Sequence, residues 1–276
     1  MRLLRDSDIA AAMDLKRSAG WNQTESDWRT LLRLEPEGCF AAVLDEQLVG
    51  TTTTTTYGSK LAWVGMVLVR PENRRAGIAT RLLETALNYL ETKVPVIKLD
   101  ATADGKPVYE RFGFQVESVL ERWTRNGEPV DFADEEPQTI DDGTHDQILQ
   151  LDRSVFGADR SKLLDVLLAK SCVRAVTKTA AGTVSGYALV RSGSNAAYVG
   201  PVVAQQRNDA PELLDQLLER LHPNPVYIDL NLNWGEGRQL LSDRGFEKQR
   251  DLIRMKRGLA IPTSSSVFAI AGPEVG

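Results

Sequence analysis

Gly65-Met66-Val67-Leu68-Val69-Arg70-Pro71-Glu72-Asn73-Arg74-Arg75-Ala76-Gly77-Ile78-Ala79-Thr80 is the stretch that decides the fold. Its first five residues suit the end of a strand, and Arg70-Pro71-Glu72-Asn73 turns the chain. From Ala79 to about residue 92 the apolar positions Leu82, Leu83, Ala86, Leu87 and Leu90 make one helical stripe. A strand, a glycine-bearing loop and a helix in that order form an anion site. The first helical turn carries unpaired N–H groups and the positive end of the dipole. A diphosphate reaches those donors where side chains are small, as at Gly77 and Ala79, and Arg74 and Arg75 add charge. The loop is neither a Walker loop (no Gly-Lys-Ser/Thr) nor a GxGxxG fingerprint.

Around this stretch the pattern predicts helices at 6–19, with Asp6 or Ser7 as N-cap, and at 24–34, with Thr24 as N-cap. Strands follow at 39–44, 48–57 and 61–69. The middle one contains six consecutive threonines, which are β-branched and favour a strand. Beyond the long helix come a strand at 95–101, a short helix at 106–111 closed by Gly113, and a strand or strand pair at 114–125. Residues 129–143, rich in Asp, Glu, Pro and Gly, read as a linker.

The second half repeats this order. Val64-Gly65-Met66-Val67 answers Val199-Gly200-Pro201-Val202, and Arg111-Phe112-Gly113-Phe114 answers Asp243-Arg244-Gly245-Phe246. Gly65 to Gly113 is 48 residues and Gly200 to Gly245 is 45, which indicates a divergent internal duplication. The fold class is α+β: two tandem domains, 1–128 and 144–276, each a mixed, mostly antiparallel sheet flanked by helices. The second copy of the loop, 204–211, is shorter, lacks the glycine and carries Asp209, which would repel a pyrophosphate. Leu241 stands where the first half has Tyr109. The second half is therefore expected to lack a productive anion site and to border a cleft of the first half, or to serve a purely structural part. Residues 267–270 read as a short strand that docks on a sheet.

The composition narrows the function classes. A formal net charge of −5 over 276 residues, without a basic stripe, argues against nucleic acid. No run of about 18 apolar residues exists to span a membrane, and the first residues turn acidic too early for a signal peptide. Cys39 and Cys172 lie far apart, so buried free thiols in a reducing compartment are expected, and the cytoplasm is the expected location. His145 and His222 have no cysteine near them, so no metal site is expected.

Arg74-x-x-Gly77-x-Ala79 between such a strand and helix resembles the acetyl-CoA loop of the GNAT superfamily of N-acetyltransferases. The run Val108-Tyr109-Glu110-Arg111-Phe112-Gly113-Phe114 is similar to that family's "LYEKLGF" segment. The segment from Trp21 to Trp28, the threonine strand and Lys98-Leu99-Asp100-Ala101-Thr102 resemble a bacterial two-domain GNAT subfamily. The resemblance implies that acetyl-CoA is the cosubstrate. It places the backbone of Met66, Val67, Leu68 and Val69 against the pantetheine, with an N–H near Val67 holding the thioester oxygen. Arg74, Arg75, Ala76, Gly77, Ile78, Ala79 and Thr80 would hold the pyrophosphate.

Tyr109 matches the tyrosine that protonates the departing thiolate, although a packed aromatic is the plain alternative. Thr102 stands where many members have asparagine. The glutamate that many members carry on the central strand is missing here. Asp100 is the first candidate for the base, and Asp27 or Glu25 the second; for Asp100 a hydrogen-bonded strand-end carboxylate is an equal reading. Trp21, Asn22 and Asp27 lie where the family binds the acceptor, and a tryptophan wall suits an ammonium. The activity implied is transfer of an acetyl group to a small amine by direct attack in a ternary complex. A non-catalytic acyl-CoA-binding module and a protein N-acetyltransferase stay open as alternatives. Oligomeric state is not legible.

Overall fold

The computed structural model describes residues 1–128, 140–171, 173–206, 208–261 and 264–276. The strands are β1 (Arg2–Leu3), β2 (Cys39–Leu44), β3 (Gln47–Tyr57), β4 (Leu61–Val69), β5 (Val96–Ala101), β6 (Gln115–Arg125), β7 (Arg174–Lys178), β8 (Val184–Arg191), β9 (Ala197–Ala204), β10 (Val226–Asn231), β11 (Glu247–Gly258) and β12 (Val267–Ala269). The helices are α1 (Ile9–Ser18), α2 (Glu25–Leu34), α3 (Ile78–Leu90), α4 (Lys106–Arg111), α5 (Asp142–Phe156), α6 (Ser161–Lys170), α7 (Asp209–Leu221) and α8 (Gly237–Ser242).

Two compact units result, and they are discontinuous in sequence. Unit 1 is Met1–Glu117 with Ile253–Ala260 and Pro273–Gly276, and unit 2 is Ser118–Leu252 with Ile261–Gly272. The second half of β11 completes unit 1, and most of β6 belongs to unit 2. Of the expected linker, residues 129–139 lie outside the described residues, as does Cys172.

In unit 1 the strand order is β1-β2-β3-β4-β5-β11. All neighbours are antiparallel except β4 and β5, which run parallel. Alternation along β2 sorts the faces. Phe40 and Ala42 pack with Leu82 and Ala86 of α3, whereas Cys39 donates its thiol to the Leu31 carbonyl of α2. So α2 and α3 cover opposite faces. The threonine run lies buried in β3. Its hydroxyls donate to main-chain carbonyls: Thr51 to Met66 at 2.9 Å and Thr54 to Gly38 at 3.0 Å. Helix α2 starts on the expected Thr24 with a full capping box, Asp27 accepting from the Thr24 N–H at 2.7 Å. The first helix begins later than expected, at Ile9, after a short 3-10 turn at Asp6–Asp8. The two-residue β1 gave no sequence signal.

Unit 2 repeats the plan, with order β6-β10-β12-β9-β8-β7. Leu213, Leu214, Leu217 and Leu218 of α7 are buried against β8 and β9 residues. Two turns show the duplication in atomic detail. Phe114 N–H donates to Tyr109 carbonyl at 3.2 Å, and Phe246 N–H to Leu241 carbonyl at 3.1 Å. Gly113 (φ 80°) and Gly245 (φ 76°) take the left-handed conformation in both.

Candidate active site

β4 and β5 pair in parallel only from Leu61↔Val96 to Trp63↔Lys98. Beyond Trp63 they part. The cause is a bulge in β4: Thr53 faces Gly65, but Thr51 faces Leu68, so one extra residue is accommodated. Met66 absorbs it with φ 50°, a left-handed conformation rare for a long side chain. Residues 66–69, the stretch that the family resemblance assigns to pantetheine, are thereby turned out of the ladder with β5. The bulge itself was not legible, since it arises from the register of β4 against β3 and not from β4 alone.

The loop from Arg74 to Gly77 is exposed, and Ile78, Ala79 and Thr80 open helix α3. Gly77 is the N-cap at φ 77° and supplies no side-chain cap. Arg75 is also left-handed at φ 62°. Helix α2 by contrast is closed by Thr24 and Asp27. An uncapped thirteen-residue helix whose first turn is bordered by Gly77 and Ala79 fits a pyrophosphate, and Arg74 and Arg75 stand beside it. Arg74 Nε donates to the Val69 carbonyl at 3.3 Å, which ties the loop to the strand end.

Tyr109 lies in the core cluster that also contains Val64, Leu99 and Ala101, with Val67 packed against it. It is thus brought to the parting of β4 and β5. Its ring meets Phe114 edge-on, with centroids 6.1 Å apart. A Cβ on Gly105 would stand 3.1 Å from the Tyr109 ring, so glycine there makes room for it. Burial pushes the phenol pKa well up, so the hydroxyl stays a proton donor. Thr102 accepts from the Gly105 N–H at 3.3 Å and so shapes the turn into α4.

Asp100 is held by Arg254 through two hydrogen bonds, at 2.9 and 2.8 Å, with both side chains buried. A carboxylate gripped by a guanidinium is stabilised in its charged form and is a poor proton acceptor. This favours its strand-end structural alternative over the base. Asp27 is engaged in the capping box, and Glu25 pairs with Arg29 at 2.9 Å. Asn22 and Gln23 are buried in the loop between α1 and α2, Trp21 is half-buried there, and Trp28 is a fully buried core residue. Arg254 and Gln23 carry no sequence signal of their own, because their roles depend on residues more than a hundred positions away.

In unit 2 the equivalent parting is filled. β9 and β10 pair in parallel from Ala197↔Val226 to Val199↔Ile228 and then diverge. The chain's own β12 inserts between them, pairing Leu230 with Ala269 and Val203 with Val267. Phe268 is fully buried, and Trp234 meets it edge-on at 5.4 Å. Asn231 donates to the Val267 carbonyl at 3.0 Å. Asp229 is clamped by Arg122 at 2.8 and 2.6 Å. Asn231 thus holds β12, and Asp229 belongs to a buried ion pair. The Asp209 carboxylate accepts from the Gln206 N–H at 3.0 Å and the Ser185 hydroxyl at 3.1 Å, closing the turn that leads into α7. Among the described residues no group of three or more His, Cys, Asp or Glu is placed to hold a metal, and no helix is long and apolar enough to cross a membrane.

With this geometry in hand, the comparisons with known proteins are specific. The acetyltransferase (GNAT) family matches residues 8–114, and a GNAT acetyltransferase domain matches 148–268. The chain is a tandem-domain member of the GNAT N-acetyltransferase superfamily. It is 26% identical over 251 residues to the uncharacterised N-acetyltransferase YitH of Bacillus subtilis (strain 168), spanning 89% of this chain and 86% of that protein. The fold is shared with a putative acetyltransferase from Pyrococcus horikoshii (TM-score 0.80, 21% identity, 100% of this chain and 95% of that one). It is also shared with a tandem GNAT protein of the clavulanic acid biosynthesis pathway (TM-score 0.65, 16% identity, 95% and 98%).

Proposed function

We propose that unit 1 binds acetyl-CoA and transfers its acetyl group to a small amine by direct attack, while unit 2 binds no acyl-CoA. One observation carries this reading: the bulge at Met66, the uncapped start of α3 and Tyr109 are all supplied by unit 1, and the matching places of unit 2 are closed by β12, Asp209 and Leu241.

Acetyl-CoA supplies an acetyl group activated as a thioester. The N–H groups opening α3, with Arg74 and Arg75, hold the pyrophosphate. The turned-out backbone of residues 66–69 meets the pantetheine amides, and the N–H of Val67 donates to the carbonyl oxygen as charge builds there. The acceptor nitrogen forms the new C–N bond as the C–S bond breaks, and Tyr109 passes its proton to the leaving sulfur. The acceptor's own proton leaves through water, since Asp100, Asp27 and Glu25 are engaged elsewhere. A thiol-release assay with acetyl-CoA and a set of primary amines tests the reaction. Tight acetyl-CoA binding with no amine-dependent release would replace it by a non-catalytic acyl-CoA-binding role.

A further inference from the structure

Six consecutive threonines, residues 51–56, make up the middle of β3. Valine would fill a buried strand equally well and bring no polar atom to bury. One of the hydroxyls reaches the place assigned to acyl transfer. Thr51 is fully buried, and its Oγ1 donates to the Met66 carbonyl at 2.9 Å.

The peptide that carries this carbonyl also carries the Val67 N–H. It is trans, so its C=O and N–H point in opposite directions. An anchor on the carbonyl from β3 therefore turns the Val67 N–H away from β3. Gly65 pairs with Thr53 and Leu68 with Thr51, so the ladder fixes the chain before and after this peptide. Gly65 is also packed against the segment Pro273–Gly276, since a Cβ there would stand 2.5 Å from the Glu274 carbonyl oxygen. The rotation of the peptide between these fixed points is left to Met66, at φ 50°, and to the Thr51 hydroxyl.

Unit 2 keeps the register shift and changes the side chains. β8 and β9 slip between Ala188 and Val190, as β3 and β4 slip between Thr51 and Thr53. Gly186 pairs with Ala204 as Gly50 pairs with Val69. Tyr187 and Ala188 thus stand at the places of Thr51 and Thr52. The Tyr187 hydroxyl donates to Asp152, and Ala188 has no hydroxyl. The unit whose gap is filled by β12 has not kept the threonine.

We propose that Thr51 is a positioning residue for acetyl transfer: by anchoring the Met66 carbonyl, its hydroxyl aims the Val67 N–H at the thioester oxygen. This rests on the acetyl-CoA reading of unit 1. A donor aimed before charge develops needs no reorganisation as it develops.

The test uses the full chain and acetyl-CoA labelled with carbon-13 at the thioester carbonyl. Infrared difference spectra read the carbonyl stretch of the bound thioester, which moves to lower frequency when an N–H donates to its oxygen. Thr51→Val removes the hydroxyl and keeps a β-branched side chain. Thr54→Val is the control: it removes an equally buried hydroxyl, bonded to the Gly38 carbonyl at 3.0 Å, on the other face of β3. The wild-type chain and Thr54→Val are expected to show the downshift. Thr51→Val loses at least half of it, keeps calorimetric acetyl-CoA affinity within threefold, and lowers kcat for the best amine by about tenfold or more. Thr51→Ser restores both shift and rate. If Thr51→Val does not fold, Thr51→Cys replaces it, and its weak thiol donor should give an intermediate shift. A carbonyl stretch that is the same in wild type and Thr51 variants overturns the proposal. So does an equal loss in Thr51→Val and Thr54→Val, which marks a purely structural role. The spectra need no amine, so a chain that binds acetyl-CoA and acetylates nothing still decides the matter. If the wild-type chain binds no acetyl-CoA, the reading of unit 1 itself fails and takes this proposal with it.

Discussion

Arg254 grips Asp100 with two parallel hydrogen bonds, Nε to Oδ1 at 2.9 Å and Nη2 to Oδ2 at 2.8 Å, and its guanidinium lies 4.6 Å from the centre of the Trp63 ring. The same constellation stands in unit 2, where Arg122 holds Asp229 and lies 6.0 Å from the Tyr198 ring. Trp63 and Tyr198 each stand two residues before the repeated glycine, Gly65 or Gly200. Arg122 follows α4 and Arg254 follows α8, so each unit takes its arginine from the strand that begins in the other repeat. Asp100→Asn leaves Arg254 buried without its counter-charge and should cost about 3–5 kcal/mol. Asp100→Asn with Arg254→Met should recover most of that, read as the urea midpoint. If Asp100 were the base, the single variant would lose kcat and keep its stability.

The cofactor loop separates binding from folding. Gly77 holds φ 77°, and nothing lies within 4 Å of a Cβ built there. Gly77→Glu should therefore cost only about 1–2 kcal/mol of stability through backbone strain. It should also abolish acetyl-CoA binding, because a carboxylate would occupy the phosphate's place. Arg74→Ala removes a charge-assisted contact of about 1.5–3 kcal/mol, equivalent to a tenfold or greater loss of affinity. Titration calorimetry checks both, and on the wild-type chain it should give a single site, since β12 fills the matching gap in unit 2.

Tyr109→Phe removes one hydroxyl and keeps the ring against Phe114. The chain should stay folded, with kcat lower by about 10²–10⁴ for loss of a general acid. Burial raises the phenol pKa, so the acid remains protonated through neutral and mildly alkaline pH. The wild-type kcat should then show no alkaline limb near the ordinary phenol range, about 10. Unchanged turnover in the variant would leave Tyr109 as a packing residue.

Glu121 links the stability of unit 2 to pH. Burial pushes its pKa up, but hydrogen bonds from Arg238, Lys248 and Trp123 outweigh this and bring it down to about 2. The unfolded carboxylate titrates near about 4.3. The stabilisation is therefore complete above that value and is lost as pH falls toward about 2. Arg238 and Lys248 are exposed, so screening holds the effect to the order of 2 kcal/mol. Glu121→Gln should lower the urea midpoint at pH 7 and converge with the wild-type chain near pH 2.

The local pattern determined a great deal. Helical stripes such as Leu82 to Leu90, the Thr24 cap, the threonine strand and the Gly77 loop are each written within a dozen residues, because capping, periodicity and small-residue clearance are short-range effects. The repeated glycines disclosed the duplication for the same reason. Tertiary structure alone decided the partners. The bulge at Met66 arises from register against β3, which no single strand states. Asp100 stood equally as a base or as a hydrogen-bonded strand-end carboxylate, and its partner Arg254 is brought by exchange of the last strands between repeats. Of the chain's last ten residues, 267–270 read as a docking strand and the rest carried no signal. Folding splits them between filling the gap in unit 2 and seating Glu274 beside Gly65. Contacts across two hundred residues follow from which surfaces fit one another in space, and a sequence read along its length does not order surfaces in space.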